Sequence, residues 1–72
     1  MEIFSKNLKE LRQNKAVTQK VVAQNISISE RSYIDLENGK FMPSCETLIK
    51  LCEYFKCSSD YLLGLSDRQS RD

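Results

Sequence analysis

Residues 18–39, TQKVVAQNISISERSYIDLENG, hold two short helical segments with almost nothing between them, and this link limits the fold more than any other feature of the chain. Thr18 is a good N-cap, because its hydroxyl can accept from a backbone N–H that the first turn leaves unpaired. The helix it opens runs through Gln19 to Asn25, with Val22 and Ile26 one turn apart and the small Ala23 between them. Ser29 opens the next helix, which ends at Asn38-Gly39, where glycine can take the left-handed conformation that closes a helix. Only Ile26-Ser27-Ile28 joins the two, so the helices must cross sharply.

The rest of the chain is also helical in spacing. No stretch shows the sustained alternation a strand needs, and Pro43, Gly39 and Gly64 are the main punctuation. A first helix is expected over about residues 3–14, with Phe4, Leu8 and Leu11 on one stripe and Arg12 at its edge. A fourth begins after Pro43, with Ser44 as its cap, Glu46 in the first turn and a stripe of Leu48, Leu51, Cys52 and Phe55. A short fifth follows Ser58, with Asp60 early and Tyr61, Leu62 and Leu65 facing inward. The expectation is an all-α, compact five-helix domain over residues 1–65, followed by a flexible polar tail at 66–72, SDRQSRD, which has no apolar anchor.

At 72 residues and 40% apolar content the chain can bury only a modest core, which makes dimerisation a plausible support. The absence of histidine removes many hydrolase and metal chemistries, and no enzyme reading has residues behind it. Cys45, Cys52 and Cys57 lack a paired CxxC and a fourth ligand, so they are expected to be small, buried or half-buried apolar groups in a reducing cytoplasm; neither a metal nor any other cofactor is expected. There is no apolar run long enough for a membrane span and no signal-peptide core, so the expected location is cytoplasmic, away from membranes. Nor is a separate sensor region visible, and no small-molecule ligand is expected.

The net charge of +1 carries no global basic signature. Its distribution says more: residues 1–20 hold five basic side chains against two acidic ones, +3, while 21–40 and 41–72 each come to −1. A basic N-terminal third suits phosphate contact and equally suits a solvated helix face.

On the third helix, steps of about 100° per residue place Tyr33, Leu36 and Glu37 on one side and Arg31, Asp35 and Asn38 on the other, with Ile34 at the margin. A carboxylate on a core-facing stripe needs a partner, and Arg12 on the first helix is the obvious one. The outward face is polar, and two helix N-termini, at Thr18-Gln19 and Ser29-Glu30, lie close in sequence. Free N–H groups at such ends bind phosphate oxygens without basic side chains. Crossed helices of this kind suit either a DNA-reading helix-turn-helix or a plain helical hairpin, and spacing leaves both open.

The stretch LKELRQNKAVTQKVVAQNISISERSYIDLENGKFMPSCETLIKLCEYFKCSSDYLLG resembles the phage repressor/Cro-type helix-turn-helix family, often called XRE-like, over about residues 3–65. Carrying the resemblance are Arg12 late in the first helix, Thr18-Gln19 opening the second, Ala23 within it, Glu37-Asn38-Gly39 closing the third, the following Lys40 and Pro43, and the final SSDYLLG. It implies a lambda-repressor-like fold and a sequence-specific transcriptional regulator, a repressor above all, which binds double-stranded DNA at an inverted-repeat operator as a homodimer. It further implies that Ser29, Glu30, Arg31 and Asp35 read bases, that Gln19, Ser32 and Lys40 contact phosphates, and that Arg12 and Glu37 form an internal ion pair. A protein-interaction module of the same fold without DNA binding, antitoxin-like or anti-repressor, is the alternative that the near-neutral charge favours.

The sequence departs from the family at three places. Ser27 stands where glycine is common, and if that residue is left-handed the serine costs roughly 1 kcal/mol relative to glycine. Val22 replaces a larger leucine, and Tyr33 occupies a position usually β-branched, so its hydroxyl must find the surface or a partner. Phe41, Met42, Tyr54 and Leu65 are candidates for either core or a self-association surface.

Overall fold

The computed structural model describes residues 2–65, which form five helices: α1 Glu2–Lys15, α2 Gln19–Asn25, α3 Glu30–Glu37, α4 Cys45–Phe55 and α5 Ser59–Leu62. The expected tail at 66–72 lies outside the described residues. Hydroxyl caps begin four of the helices. Thr18, Ser29, Ser44 and Ser58 accept from the backbone N–H of Val21, Ser32, Thr47 and Tyr61, at 3.0–3.2 Å. Each of those bonds satisfies a donor that the helix itself cannot reach.

All five helices end in the same way. Ala16, Ser27, Gly39, Lys56 and Gly64 each have positive φ, and the next residue's N–H bonds back to the carbonyl five residues earlier. Examples are Ile28 to Ala23 and Lys40 to Asp35, both at 3.0 Å. This is the Schellman closure, which uses last-turn carbonyls and reverses the chain. Ser27 is left-handed, at φ 61°, the condition under which its side chain is costly, and Ala16 and Lys56 carry the same strain at φ 60° and 55°. Ser27→Gly and Lys56→Gly should each raise stability by about 0.5–1 kcal/mol, the left-handed penalty less the added entropy of the unfolded glycine. Thermal unfolding of each variant checks this, and an unchanged or lower melting temperature would refute it. Gly64 admits no such exchange in reverse, since a Cβ there would lie 2.7 Å from Ile3 Cγ1 as well as at φ 81°.

The core is one cluster drawn from every helix, with Phe4, Leu8, Val22, Ile26, Tyr33, Leu36, Leu51, Cys57 and Leu62 all but fully buried. Helix α3 packs on α1 and α2, while α5 packs on α1 and α4. Thus α1 is the spine on which the two halves meet. Asn7, a polar residue in the buried face of α1, ties α5 to that spine by donating its amide to the Tyr61 carbonyl at 2.9 Å. The same carbonyl also accepts from the Gly64 N–H at 3.0 Å, so both of its lone pairs are used at the turn that ends α5.

Two expectations need correction. Leu65 does not face inward: it is 75% exposed, because the left-handed turn at Gly64 carries it off the body after α5 has ended. Cys45 shares a helix face with Cys52 but not its burial. It is the first residue of α4, about 10 Å along the axis from Cys52, where the helix has run beyond the core. Cys52 and Cys57 are buried as expected.

Candidate nucleic-acid interface

Helix α3 has two different sides. Tyr33, Leu36 and Glu37 are buried, as their spacing predicts, and Glu30, Arg31 and Asn38 are exposed. What holds the inner side is a polar network. Arg12 Nε donates to Glu37 Oε2 at 2.6 Å and Nη2 donates to Oε1 at 3.3 Å, a two-point contact between α1 and α3. Nη1 of Arg12 also reaches the Val17 carbonyl at 3.1 Å, which ties down the α1–α2 link. The Glu37 side chain is only 2% exposed, so it depends on these donors. The Glu37 hydrogen bond in turn holds the guanidinium above its already high pKa.

Gln19 completes the network in a way its sequence position did not reveal. Its Nε2 donates to Glu37 Oε1 at 3.2 Å, so the residue that opens α2 is fixed by the carboxylate that closes α3. An amide nitrogen has two hydrogens, and the second is left for another acceptor.

Tyr33 is fully buried, and its hydroxyl has no hydrogen bond of ordinary geometry. Burial first, and then the nearby Glu37 carboxylate, push its ionisation far above the usual phenol range. Of the two options open to this tyrosine, the surface is thereby excluded. Tyr33→Phe should leave stability unchanged or raise it by about 1 kcal/mol at neutral pH, since it removes a desolvated and unpaired group. The phenol of the folded protein stays protonated while that of the unfolded chain ionises above its ordinary value of 10.0. Above about pH 10 the unfolded state therefore binds fewer protons, and stability falls as pH rises. The gap between wild type and Tyr33→Phe should widen over that range in denaturant titrations. A destabilised phenylalanine variant at neutral pH would show that the hydroxyl has a useful partner.

The outer side carries the other predicted residues. Ser29 Oγ caps α3 and donates to Ser32 Oγ at 2.9 Å, so these hydroxyls are joined at the first turn. Glu30 is exposed beside them, where its charge suits the helix N-terminus. Arg31 Nε and Lys40 Nζ both approach Asp35 Oδ1, at 3.5 and 3.7 Å. The structure thus groups Arg31, Asp35 and Lys40 on one side, and Arg12, Gln19 and Glu37 on the other. Ser27 turns the chain between α2 and α3, and contacts between those helices hold their crossing.

Ile49 escaped the sequence reading because it lies off the apolar stripe of α4, yet it is 58% exposed. It borders a groove of about 460 Å³ between α4 and the start of α5, lined also by Cys45, Leu48, Cys52 and Cys57. Helical periodicity identifies such a residue as an apolar side chain out of register. Among the described residues, no helix is long and apolar enough to cross a membrane, and no His/Cys/Asp/Glu group has metal-holding geometry.

Comparison with known proteins matches residues 5–68 to the model of a helix-turn-helix domain. The chain is 39% identical over 61 residues to the HTH-type transcriptional regulator ImmR of Bacillus subtilis (strain 168), covering 85% of this chain and 48% of ImmR. It is 38% identical over 61 residues to the uncharacterized HTH-type transcriptional regulator YqaE of the same organism, covering 85% of this chain and 53% of YqaE. The chain therefore spans about half the length of these relatives. The P22 c2 repressor, solved in complex with a synthetic operator, superposes with a TM-score of 0.85 over 92% of this chain and 100% of that one, at 21% identity. A transcriptional regulator from Listeria innocua superposes with a TM-score of 0.81 over 96% of this chain and 64% of that one, at 28% identity. With the two crossed helices in place and the family model covering most of its length, this chain belongs to the helix-turn-helix domain family.

Proposed function

We propose that the chain is a sequence-specific, DNA-binding transcriptional regulator that reads the major groove with α3 and works as a homodimer on an inverted repeat. The observation that carries this reading is the outer side of α3, polar and free of the core, on a crossed helix pair of the helix-turn-helix family. The names of the relatives, transcriptional regulators and a repressor in complex with its operator, support it. Regulation would work by occupancy, with repression by covering a promoter as the simplest mode.

Within that reading, Arg31 forks onto guanine O6 and N7, the commonest specific contact, and Glu30 can accept from cytosine N4. Ser29 sits at the same end of the helix, and Asp35 one turn beyond Arg31 on the same side. Gln19, Ser32 and Lys40 flank this surface as phosphate contacts. The free hydrogen of the Gln19 amide suits that role, because its other hydrogen is already held by Glu37. Carboxylates beside the bases weaken attraction to phosphate in general and so favour the right sequence over random duplex.

Half-sites one helical turn apart have centres about 34 Å from one another. The protein measures 29 × 21 × 21 Å between Cα extremes, so two copies on neighbouring grooves sit side by side without a linker. Exposed apolar side chains at Ile49, Phe41, Met42 and Leu65 support self-association.

Selection from random duplexes at moderate salt should enrich an inverted repeat with at least one G·C pair in each half-site. Specific binding should weaken steeply as salt rises, because bound phosphates release counterions. Arg31→Ala should cost about 1–3 kcal/mol of binding and relax one base pair per half-site. A loss spread evenly over all sequences would make Arg31 a phosphate contact. If selection enriches no motif, DNA reading fails and a protein-interaction module of this fold takes its place.

A further inference from the structure

We infer that Asp35 does not read a base but positions Arg31: its carboxylate braces the arginine so that the Nη1/Nη2 edge faces guanine, and it links that arginine to Lys40. This rests on the DNA-reading function proposed above. It concerns how specificity arises within the surface of α3.

Three features of the site point to a brace. The first is access. Asp35 Oδ1 has essentially no accessible surface, and its side chain is 18% exposed. A short, half-buried carboxylate with one oxygen closed off is poorly placed to reach a groove floor. Arg31 and Lys40, by contrast, are long and exposed.

The second is compensation. Oδ1 accepts no hydrogen bond, so what offsets its burial is the charge of Arg31 Nε at 3.5 Å and Lys40 Nζ at 3.7 Å. The second cation is not there by chance of a loop. The Schellman closure at Gly39 bonds the Lys40 N–H to the Asp35 carbonyl at 3.0 Å, which turns the chain back over the residue whose side chain Lys40 meets.

The third is the atom used. A guanidinium has five N–H donors in a fixed plane, and here the Nε side faces Asp35. The opposite edge, Nη1 and Nη2, remains for the two acceptors that guanine presents in the major groove. An arginine held this way has fewer rotamers to lose on binding, and planar two-point recognition depends on that orientation. The same carboxylate lowers the net positive potential of both cations, which weakens attraction to random duplex without touching DNA.

The brace is tested with the full 72-residue chain and the enriched duplex, together with duplexes altered at each position of the half-site. Asp35→Asn keeps the shape and removes the charge. It should lower base preference by about 3- to 10-fold at the same pair that Arg31→Ala relaxes, the size expected for losing part of an arginine's preorganisation. The double variant Arg31→Ala/Asp35→Asn should show no further loss at that pair. Asp35→Asn should also bind random duplex more tightly and with a steeper salt dependence, by up to about one additional ion released. Asp35→Glu should recover part of the preference, since the charge is restored one methylene further out. Relaxation of a different base pair, additive with Arg31→Ala, would overturn the brace and make Asp35 a reader. Unchanged preference at every pair in Asp35→Asn would overturn it also. A wild-type chain that enriches no motif defeats DNA reading itself, and the brace with it.

Discussion

Arg12→Ala is expected to cost about 3–5 kcal/mol of folding stability, the effect of breaking a buried ion pair from one side. A domain of this length has only about 4–11 kcal/mol in total, so most of its margin would go. The loss is large because Glu37 cannot move to water. Its side chain is 2% exposed, and without Arg12 the bond from Gln19 is the one hydrogen bond left to it among the described residues. The Val17 carbonyl loses its donor as well, so the α1–α2 link is released together with α3. Urea denaturation of wild type and variant measures this directly. Arg12→Lys should recover only part of the loss, because one ammonium cannot match the two-point contact and the third bond to Val17. Replacing both partners, Arg12→Met with Glu37→Leu, should restore most of the stability, since no buried charge is then left alone. A loss below about 1 kcal/mol in Arg12→Ala would mean that water or Gln19 already satisfies Glu37.

Leu36→Ala should be comparably severe, at about 2–5 kcal/mol. Leu36 is 1% exposed and belongs to α3, the helix whose outer side is proposed to read DNA. Truncating it leaves a cavity where α3 meets the rest of the core, and a domain this small has few other residues to close it. The readout should have two parts, a lower denaturation midpoint and weaker specific DNA binding. At low temperature or with added osmolyte, where the variant refolds, base preference should return, because the outer side of α3 is untouched. Persistent loss of preference in a fully folded Leu36→Ala would instead show that the core sets the angle at which α3 meets the groove. The ion pair and the leucine are thus separate holds on one helix, polar at its end and apolar one residue before.

Much of this was legible in the residues because the determinants are local. Hydroxyl caps at Thr18, Ser29, Ser44 and Ser58 each act within one turn, so helix starts could be read from single residues. The burial of Tyr33, Leu36 and Glu37 followed from spacing alone, and the unpaired charge among them identified Arg12 as a partner 25 residues away. The family pattern, with glycine common where Ser27 stands, singled out that residue as one that could be left-handed. Ala16 and Lys56 were not singled out, since neither residue type advertises positive φ. Cys45 and Leu65 failed for a shared reason. Periodicity assigns a face but does not say how far the core or the helix itself extends: Cys45 lies on α4 beyond the core, and Leu65 follows the turn after α5 has ended.

The sequence by itself determined an all-helical chain, its five segments, the sharp link between α2 and α3, and which side of α3 turns inward. Those properties depend on neighbours within a turn or two, where residue type fixes geometry. Only the tertiary structure decided that Gln19 is held by Glu37, that Asn7 ties α5 to α1, and that the Tyr33 hydroxyl is buried without a bond. It also decided that Asp35 lies between Arg31 and Lys40. Each of these depends on how separate elements meet in space, or on how the chain turns back at Gly39, and a contact of that kind has no period in the sequence from which to read it.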